Sequence, residues 1–199
     1  MARGLRSPSG AERRARARAG LTLLEVTVAM PVILIAASML ASTLLAIAKQ
    51  RTVARETVRV ALAVQGAFER MRNERVADVW RLYNQEPFDD PNGPGTAPGA
   101  FFALPGLLPM PGARDGAVGE IRMPGVNVGT AAAPVWQVRE DMVDTDLQMP
   151  RDLSGDSVMD AADHSGDYIM MPVHVRVRWM GRFGPREFEM HTLLTELPQ

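Results

Sequence analysis

The chain has no cysteine among its 199 residues. That absence excludes a disulfide framework, thiolate-ligated metal sites and a thiol nucleophile. Histidine is scarce: His164, His174 and His191 share no ligand-like spacing, so an all-histidine metal cage is not expected. His174 and His191 are expected on a solvated polar face. No nucleophile elbow, phosphate-binding glycine loop or zinc-helix motif is present. No carboxylate pair is marked by its context as acid and base. The expectation is therefore no enzyme, with no catalytic residue, no metal and no cofactor.

What is present is uneven. Hydrophobic residues make up 46% and charged residues 23%, which fits neither a disordered polymer nor a polytopic membrane protein. The net charge of −1 conceals a division. Residues 1–20 hold six arginines against Glu12, a balance of +5, so the remainder carries −6. A short basic head on an acidic body is the asymmetry of an exported or membrane-inserted chain. The body has no surplus of cations to set against phosphates, so no nucleic-acid contact is expected.

Residues 21–48 read LTLLEVTVAMPVILIAASMLASTLLAIA, with Glu25 the only ionisable side chain. As a helix this stretch spans ~42 Å, more than the ~30 Å of a bilayer's hydrocarbon core. It competes with two other readings. One is a secretory signal cut after Ala46-Ile47-Ala48, which would release a secreted enzyme, but the run is too long for a signal's apolar region. The other is a plain anchor that spans once and carries a periplasmic binding domain. Arg13-Arg14 lacks the flanks of a twin-arginine signal. Glu25 arbitrates, because a carboxylate in an apolar run is costly unless neutralised or placed at the interface, where it caps the helix start. If the chain is cut after Gly20, the new amine of Leu21 lies at i relative to Glu25 at i+4, on one helix face. Amine and carboxylate can then neutralise each other, within a chain or between neighbours.

The string Ala19-Gly20-Leu21-Thr22-Leu23-Leu24-Glu25-Val26, behind its basic flank and ahead of a long apolar helix, resembles the prepilin cleavage and methylation motif of type IV pilins and type II secretion pseudopilins. The resemblance implies cleavage by prepilin peptidase between Gly20 and Leu21, with N-methylation of Leu21. It implies assembly roles for Thr22 and Glu25, the latter pairing with the N-terminus of an adjacent subunit. Leu21 stands where phenylalanine is usual. Pro31 stands where no proline is typical, and Ser42 where the family often has one. A structural subunit is implied, a minor pilin or pseudopilin of a type IV pilus or type II secretion-like filament. It would cross the inner membrane once, with its C-terminal domain periplasmic. Its partners would be the peptidase, other pilin-like subunits met through the N-terminal helix, and the membrane. The lack of cysteine favours a minor subunit or pseudopilin over a major adhesive pilin.

The remaining organisation follows from periodicity. After a basic leader (1–20) and the membrane and assembly helix (21–48), residues 49–85 continue the helix as an amphipathic stretch. Its apolar stripe is Val53, Val60, Val64, Phe68, Met71, Val79, Leu82 and Tyr83. One helix of ~64 residues is expected, kinked at Pro31. Residues 86–134 hold nine prolines and nine glycines and read as a long loop with short extended pieces such as Ala117–Met123. Phe101, Phe102, Leu104, Leu107 and Leu108 within it are expected to tuck against helix or sheet. Residues 135–199 read as a small antiparallel β domain. A strand is expected at Val135–Val143, followed by an acidic stretch from Glu140 to Asp167. Oxygen-rich loops can hold calcium, and the resemblance to pseudopilins implies that option, but the spacing fits no EF-hand pattern, so a solvated acidic loop is the expected reading. A hairpin then covers Tyr168–Leu197: Val173, Val175, Val177 and Trp179 face Phe188, Met190 and Thr192 across a Gly/Pro turn. The fold class expected is α+β, a long N-terminal helix packed on a small C-terminal antiparallel sheet in the manner of pilins.

Overall fold

The computed structural model describes residues 22–131 and 133–196. The expected cut at Gly20 and Leu21 lies outside them. The chain divides between Arg51 and Thr52 into two compact units. Helix α1, Leu23–Asn73, contributes to both.

In the first unit α1 is apolar all round. Leu23, Leu24, Ile33, Leu34 and Leu45 are among many large side chains left exposed. Its most apolar window has mean hydropathy 2.2 and none of it is buried. It is the one candidate membrane span among the described residues, long and apolar enough for a single pass. Its hydroxyls are silenced internally: Thr27 Oγ1 donates to the Leu23 carbonyl, Ser38 to Ile35, and Ser42 and Thr43 to Met39. A hydroxyl satisfied this way costs little in hydrocarbon. The helix runs through Pro31 uninterrupted.

In the second unit α1 becomes one-sided. Val60, Val64, Ala67, Phe68 and Met71 are buried at spacings of three and four, as the stripe requires. The expected single helix stops short, however. Asn73 ends α1, and a separate helix α2 covers Val76–Tyr83. Neither proline nor glycine breaks the chain. Arg75 is extended at φ −66° and ψ 136°, and Glu74 N–H turns back onto the Met71 carbonyl. The bend lets Val79, Trp80 and Tyr83 enter the core. It is braced by Asp78, which sits between Arg75 at 2.6 Å and Arg81 at 3.0 Å.

The main sheet has five strands: β1 Phe101–Phe102, β2 Leu108–Pro109, β3 Gly119–Arg122, and the long pair β6 Met170–Gly181 and β7 Gly184–Thr195. All pairings are antiparallel. β7 flanks β6 on one side, while β3 and β2 share its other edge and β1 lies outside β3. A second, two-stranded sheet pairs β4 Gly125–Asn127 with β5 Trp136–Val138. The fold class is the expected one, α+β with an antiparallel sheet. The hairpin register is also as expected: Val177 faces Phe188, Val175 faces Met190 and Val173 faces Thr192. Gly181 and Gly184 close a two-residue turn at Arg182-Phe183, and Gly184 at φ +118° takes a conformation few side chains tolerate.

Two expectations need correcting. The Pro/Gly-rich region is not mainly a connecting loop. Among the described residues it supplies four of the seven strands, and β3 stands inside the sheet between β1 and β6, because a short proline-free segment is enough to pair on both of its edges. Phe102, Leu104 and Leu107 do pack against the core, but Leu108 stays exposed. The strand expected over Val135–Val143 is limited to three residues. After Val138 the chain turns inward at Glu140, which is fully buried, and leaves the ladder.

The core lies between the α1 stripe, α2 and the inner face of the sheet, with Val173, Val175, Val177 and Trp179 almost wholly buried. Burying each of these side chains is worth about 1.5–3 kcal/mol. Trp179 keeps a partner for its indole: Nε1 donates to Glu56 Oε2 of α1 at 3.3 Å. Tyr168 does the same for α2. Its hydroxyl donates to the Val76 carbonyl at 2.6 Å and accepts from Trp80 N–H at 3.0 Å.

Candidate functional site

The start of α1 is organised by its own sequence. Thr22 precedes the first helical residue, and its Oγ1 accepts from the Glu25 backbone N–H at 3.3 Å. The Val26 N–H reaches the Thr22 carbonyl at 3.1 Å. Thr22-Leu23-Leu24-Glu25 thus has the order of a capping box, and Glu25 sits in the first turn where the helix dipole favours an acid. Thr22 and Glu25 are therefore brought together. The Leu21 half of the expected amine–carboxylate pair lies outside the described residues. From Leu23 to Ala48 Glu25 is the only charged side chain.

The outer face of the main sheet is a charge ladder. Arg176 lies opposite Glu120 on one strand and Glu189 on the other, and ion-pairs with Glu187 and with Glu189 at 2.9 Å. Hydrogen bonding to Glu187 holds the Arg176 guanidinium above its usual range. His174 and His191 face each other on this side, with ring centroids 6.4 Å apart. The solvated position expected for both holds only for His191, since His174 is 1% exposed. Arg122, opposite His174 on β3, is held by Asp144 and by Asp146 at 3.2 Å, so that end of the face is not open. His174 Nε2 comes no nearer than 3.8 Å to Glu189, and its Nδ1 is buried without a partner. Nothing in this arrangement presents a nucleophile with its base.

The acidic stretch departs furthest from expectation. It is not a uniformly solvated loop. Glu140 is 0% exposed, placed by the turn that ends β5. Its Oε1 accepts from Leu153 N–H at 2.6 Å and from Ser154 N–H at 2.8 Å. Its Oε2 is buried with no hydrogen-bond partner. Glu140, half-buried Asp152 and exposed Asp156 each bring a carboxylate oxygen within 4.8 Å of the other two. Backbone donors curl around Asp152: Gly155 N–H at 2.6 Å and Ser157 N–H at 2.7 Å. Burial pushes the Asp152 carboxyl up, but these donors and the Ser154 hydroxyl outweigh it and hold it below the usual carboxylate range.

His164 lies beside this cluster, anchored by its N–H to the Val138 carbonyl at 2.9 Å. Its Nε2 is 3.2 Å from Asp160 and 3.6 Å from Glu140 Oε2, and its Nδ1 is 3.1 Å from Asp167. Burial pushes its pKa down, but the Asp160 hydrogen bond and the charges of Glu140 and Asp167 outweigh it and raise the pKa.

No family model, curated protein or solved structure matches this chain. Its chemistry must be read from its own residues. Sequence reasoning weighed the acidic stretch as an oxygen-rich loop and preferred a solvated one; it did not foresee that Glu140, twelve positions from Asp152 and in another segment, converges with Asp152 and Asp156. The available signal was the alternation of oxygen-bearing residues at Asp152, Ser154, Asp156 and, four further on, Asp160.

Proposed function

We propose that the chain is a structural subunit, a minor pilin or pseudopilin, that enters a type IV pilus or type II secretion-like filament after processing by prepilin peptidase. The observation that carries this reading is the apolar N-terminal part of α1, from Leu23 to Ala48, whose single charged side chain, Glu25, lies in the first turn directly behind Gly20-Leu21-Thr22. The enzyme would cut between Gly20 and Leu21 and methylate the Leu21 amine. The leader would remain cytoplasmic, the helix would cross the inner membrane, and the α+β unit would lie in the periplasm. We assign the chain no catalytic residue.

The mechanism follows from desolvation. A lone carboxylate at membrane depth is disfavoured until it meets a positive charge. The N-terminal amine of a neighbouring subunit offers one at the same depth, so docking in register relieves two uncompensated charges together. The apolar side chains between Leu23 and Ile47 then exchange lipid for the helices of other subunits. The Thr22 cap supports the role by keeping the first turn helical, which fixes the direction of Glu25.

N-terminal sequencing or intact mass of the membrane-bound protein tests the cleavage. A chain beginning at Leu21, methylated, is expected in cells that possess the peptidase. An uncut chain there would instead make it an anchored periplasmic binding protein. Glu25→Ala is expected to be cleaved normally yet lose most of its incorporation into filaments, measured by shearing and immunoblot. Unchanged incorporation removes Glu25 from its role.

A further inference from the structure

We propose that the free edge of β7 is a docking site for an extended segment of another chain, one whose side chains alternate between basic and aliphatic. The inference goes beyond the assembly reading and stands whether or not the chain is cut at Gly20.

The unpaired backbone carries it. β7 pairs with β6 without a break, from Gly184 opposite Gly181 to Thr195 opposite Met170. In an antiparallel ladder alternate residues turn both backbone groups to the same neighbour. Two bonds fix which residues face which way. The Glu196 N–H reaches the Ile169 carbonyl, just before β6, and the Arg178 N–H reaches the Val118 carbonyl on the β3 side. The even-numbered residues of β7 therefore face β6. Glu187, Glu189, His191, Leu193 and Thr195 aim their N–H and C=O groups outward. Among the described residues none of these backbone groups has a hydrogen-bond partner, since β7 pairs with β6 alone.

Sheets normally blunt such an edge with a short strand, a bulge, a lysine or a proline. β7 has 12 residues, an unbroken register and no lysine, and its one proline, Pro185, stands at its start. Donors and acceptors alternating at strand spacing are matched by another extended main chain.

The side chains say which kind of chain. On the outer face one cross-strand row runs Glu120, Arg176, Glu189, and the next sets Arg178 beside Glu187. Signs alternate from strand to strand and both rows end on an acid, so a basic residue continues them favourably. The inner rows run Ile121, Val175, Met190 and Gly119, Val177, Phe188, which an aliphatic residue continues. Near Leu193 the edge also passes two clefts. One of about 250 Å³ lies on the outer side, between Asp146, Leu147, Pro172 and His191. Another of about 210 Å³ lies on the helix side, between Met71, Val76 and Leu194. An added strand would direct alternate side chains toward the two. A second copy of β7 suits the edge less, because it brings two more glutamates to the same face.

The test uses the full chain in detergent. The probe is a fluorescein-labelled peptide copying residues 170–179 (MMPVHVRVRW), which has the required alternation. Fluorescence anisotropy is expected to show saturable binding with Kd on the order of 10⁻⁵ M. Methylating the backbone nitrogens of the peptide's two arginines blocks their donation to the edge and is expected to weaken binding about tenfold or more. Leu193→Pro removes one outward N–H without touching a bond to β6, and is expected to weaken binding about fivefold. Glu189→Lys is expected to weaken it about threefold or more, by setting like charges opposite each other. Circular dichroism checks both folds, and the methylated peptide decides on the unaltered protein should either variant unfold. No saturation below about 10⁻³ M peptide overturns the proposal. Equal binding of the methylated peptide, or of one with scrambled sequence, does the same. So does a concentration-dependent dimer of the chain alone that Leu193→Pro abolishes, which would give the edge to a second copy.

Discussion

Tyr168→Phe isolates a single atom whose contribution can be worked out. The hydroxyl joins the sheet side of the core to α2, donating to the Val76 carbonyl at 2.6 Å and accepting from Trp80 N–H at 3.0 Å. Tyr168 and Trp80 are both about 4% exposed, so water does not replace what is lost. Each hydrogen bond contributes about 1 kcal/mol net, and a buried N–H left unsatisfied costs about 1–3 kcal/mol. The phenylalanine ring fills the same volume, so no cavity term is added. The expected loss is about 2 kcal/mol. For a folded unit of ~150 residues this lowers the melting temperature by roughly 4–8 °C. Thermal unfolding of the full chain in detergent, followed by near-ultraviolet circular dichroism, reads it directly. A fall of less than about 1 °C would refute the reasoning. It would mean that Val76 and Trp80 close the ordinary helical bond between themselves and the hydroxyl is dispensable.

Further outcomes rest on other contacts. A Cβ at Gly119 would stand 2.1 Å from Cζ of Phe102, so Gly119→Val is expected to destabilise by about 1–3 kcal/mol. Adding Phe102→Ala should recover part of that loss, and strict additivity in a double-mutant cycle would show that the two sites are not in contact. The two tyrosines of the chain should ionise late, because burial pushes Tyr168 up to about 12 and raises Tyr83 as well. A raised phenol pKa favours the neutral form in the folded state. This contribution to stability is therefore complete below pH ~10 and is lost as pH climbs toward ~12. Tyrosinate absorbance is expected to rise together with loss of structure above pH ~10, and early ionisation in an intact fold would contradict the burial.

Local regularities were enough to read much of this molecule. The unbroken apolar run announced α1, spacings of three and four marked Val60, Val64, Phe68 and Met71, and period two paired β6 with β7 in the correct register. Glu25 was legible as the one acid in the apolar run, whereas Thr22 entered only through the resemblance, and its cap on the Glu25 N–H came from the structure. The break at Arg75 was not, because α1 and α2 are separated by what Val79, Trp80 and Tyr83 must reach and not by a helix-breaking residue. Nor was β3 readable as an inner strand, since its four residues acquire meaning only beside β6.

The sequence by itself determined where helix, hairpin and apolar segment lie, because hydrophobic periodicity and capping act between near neighbours along the chain. The tertiary structure alone decided that Glu140 is buried, that His174 is enclosed, and that Glu140 converges with Asp152 and Asp156. Those facts depend on desolvation and electrostatic contact between segments far apart in the chain, and a charge's environment is a property of three-dimensional packing.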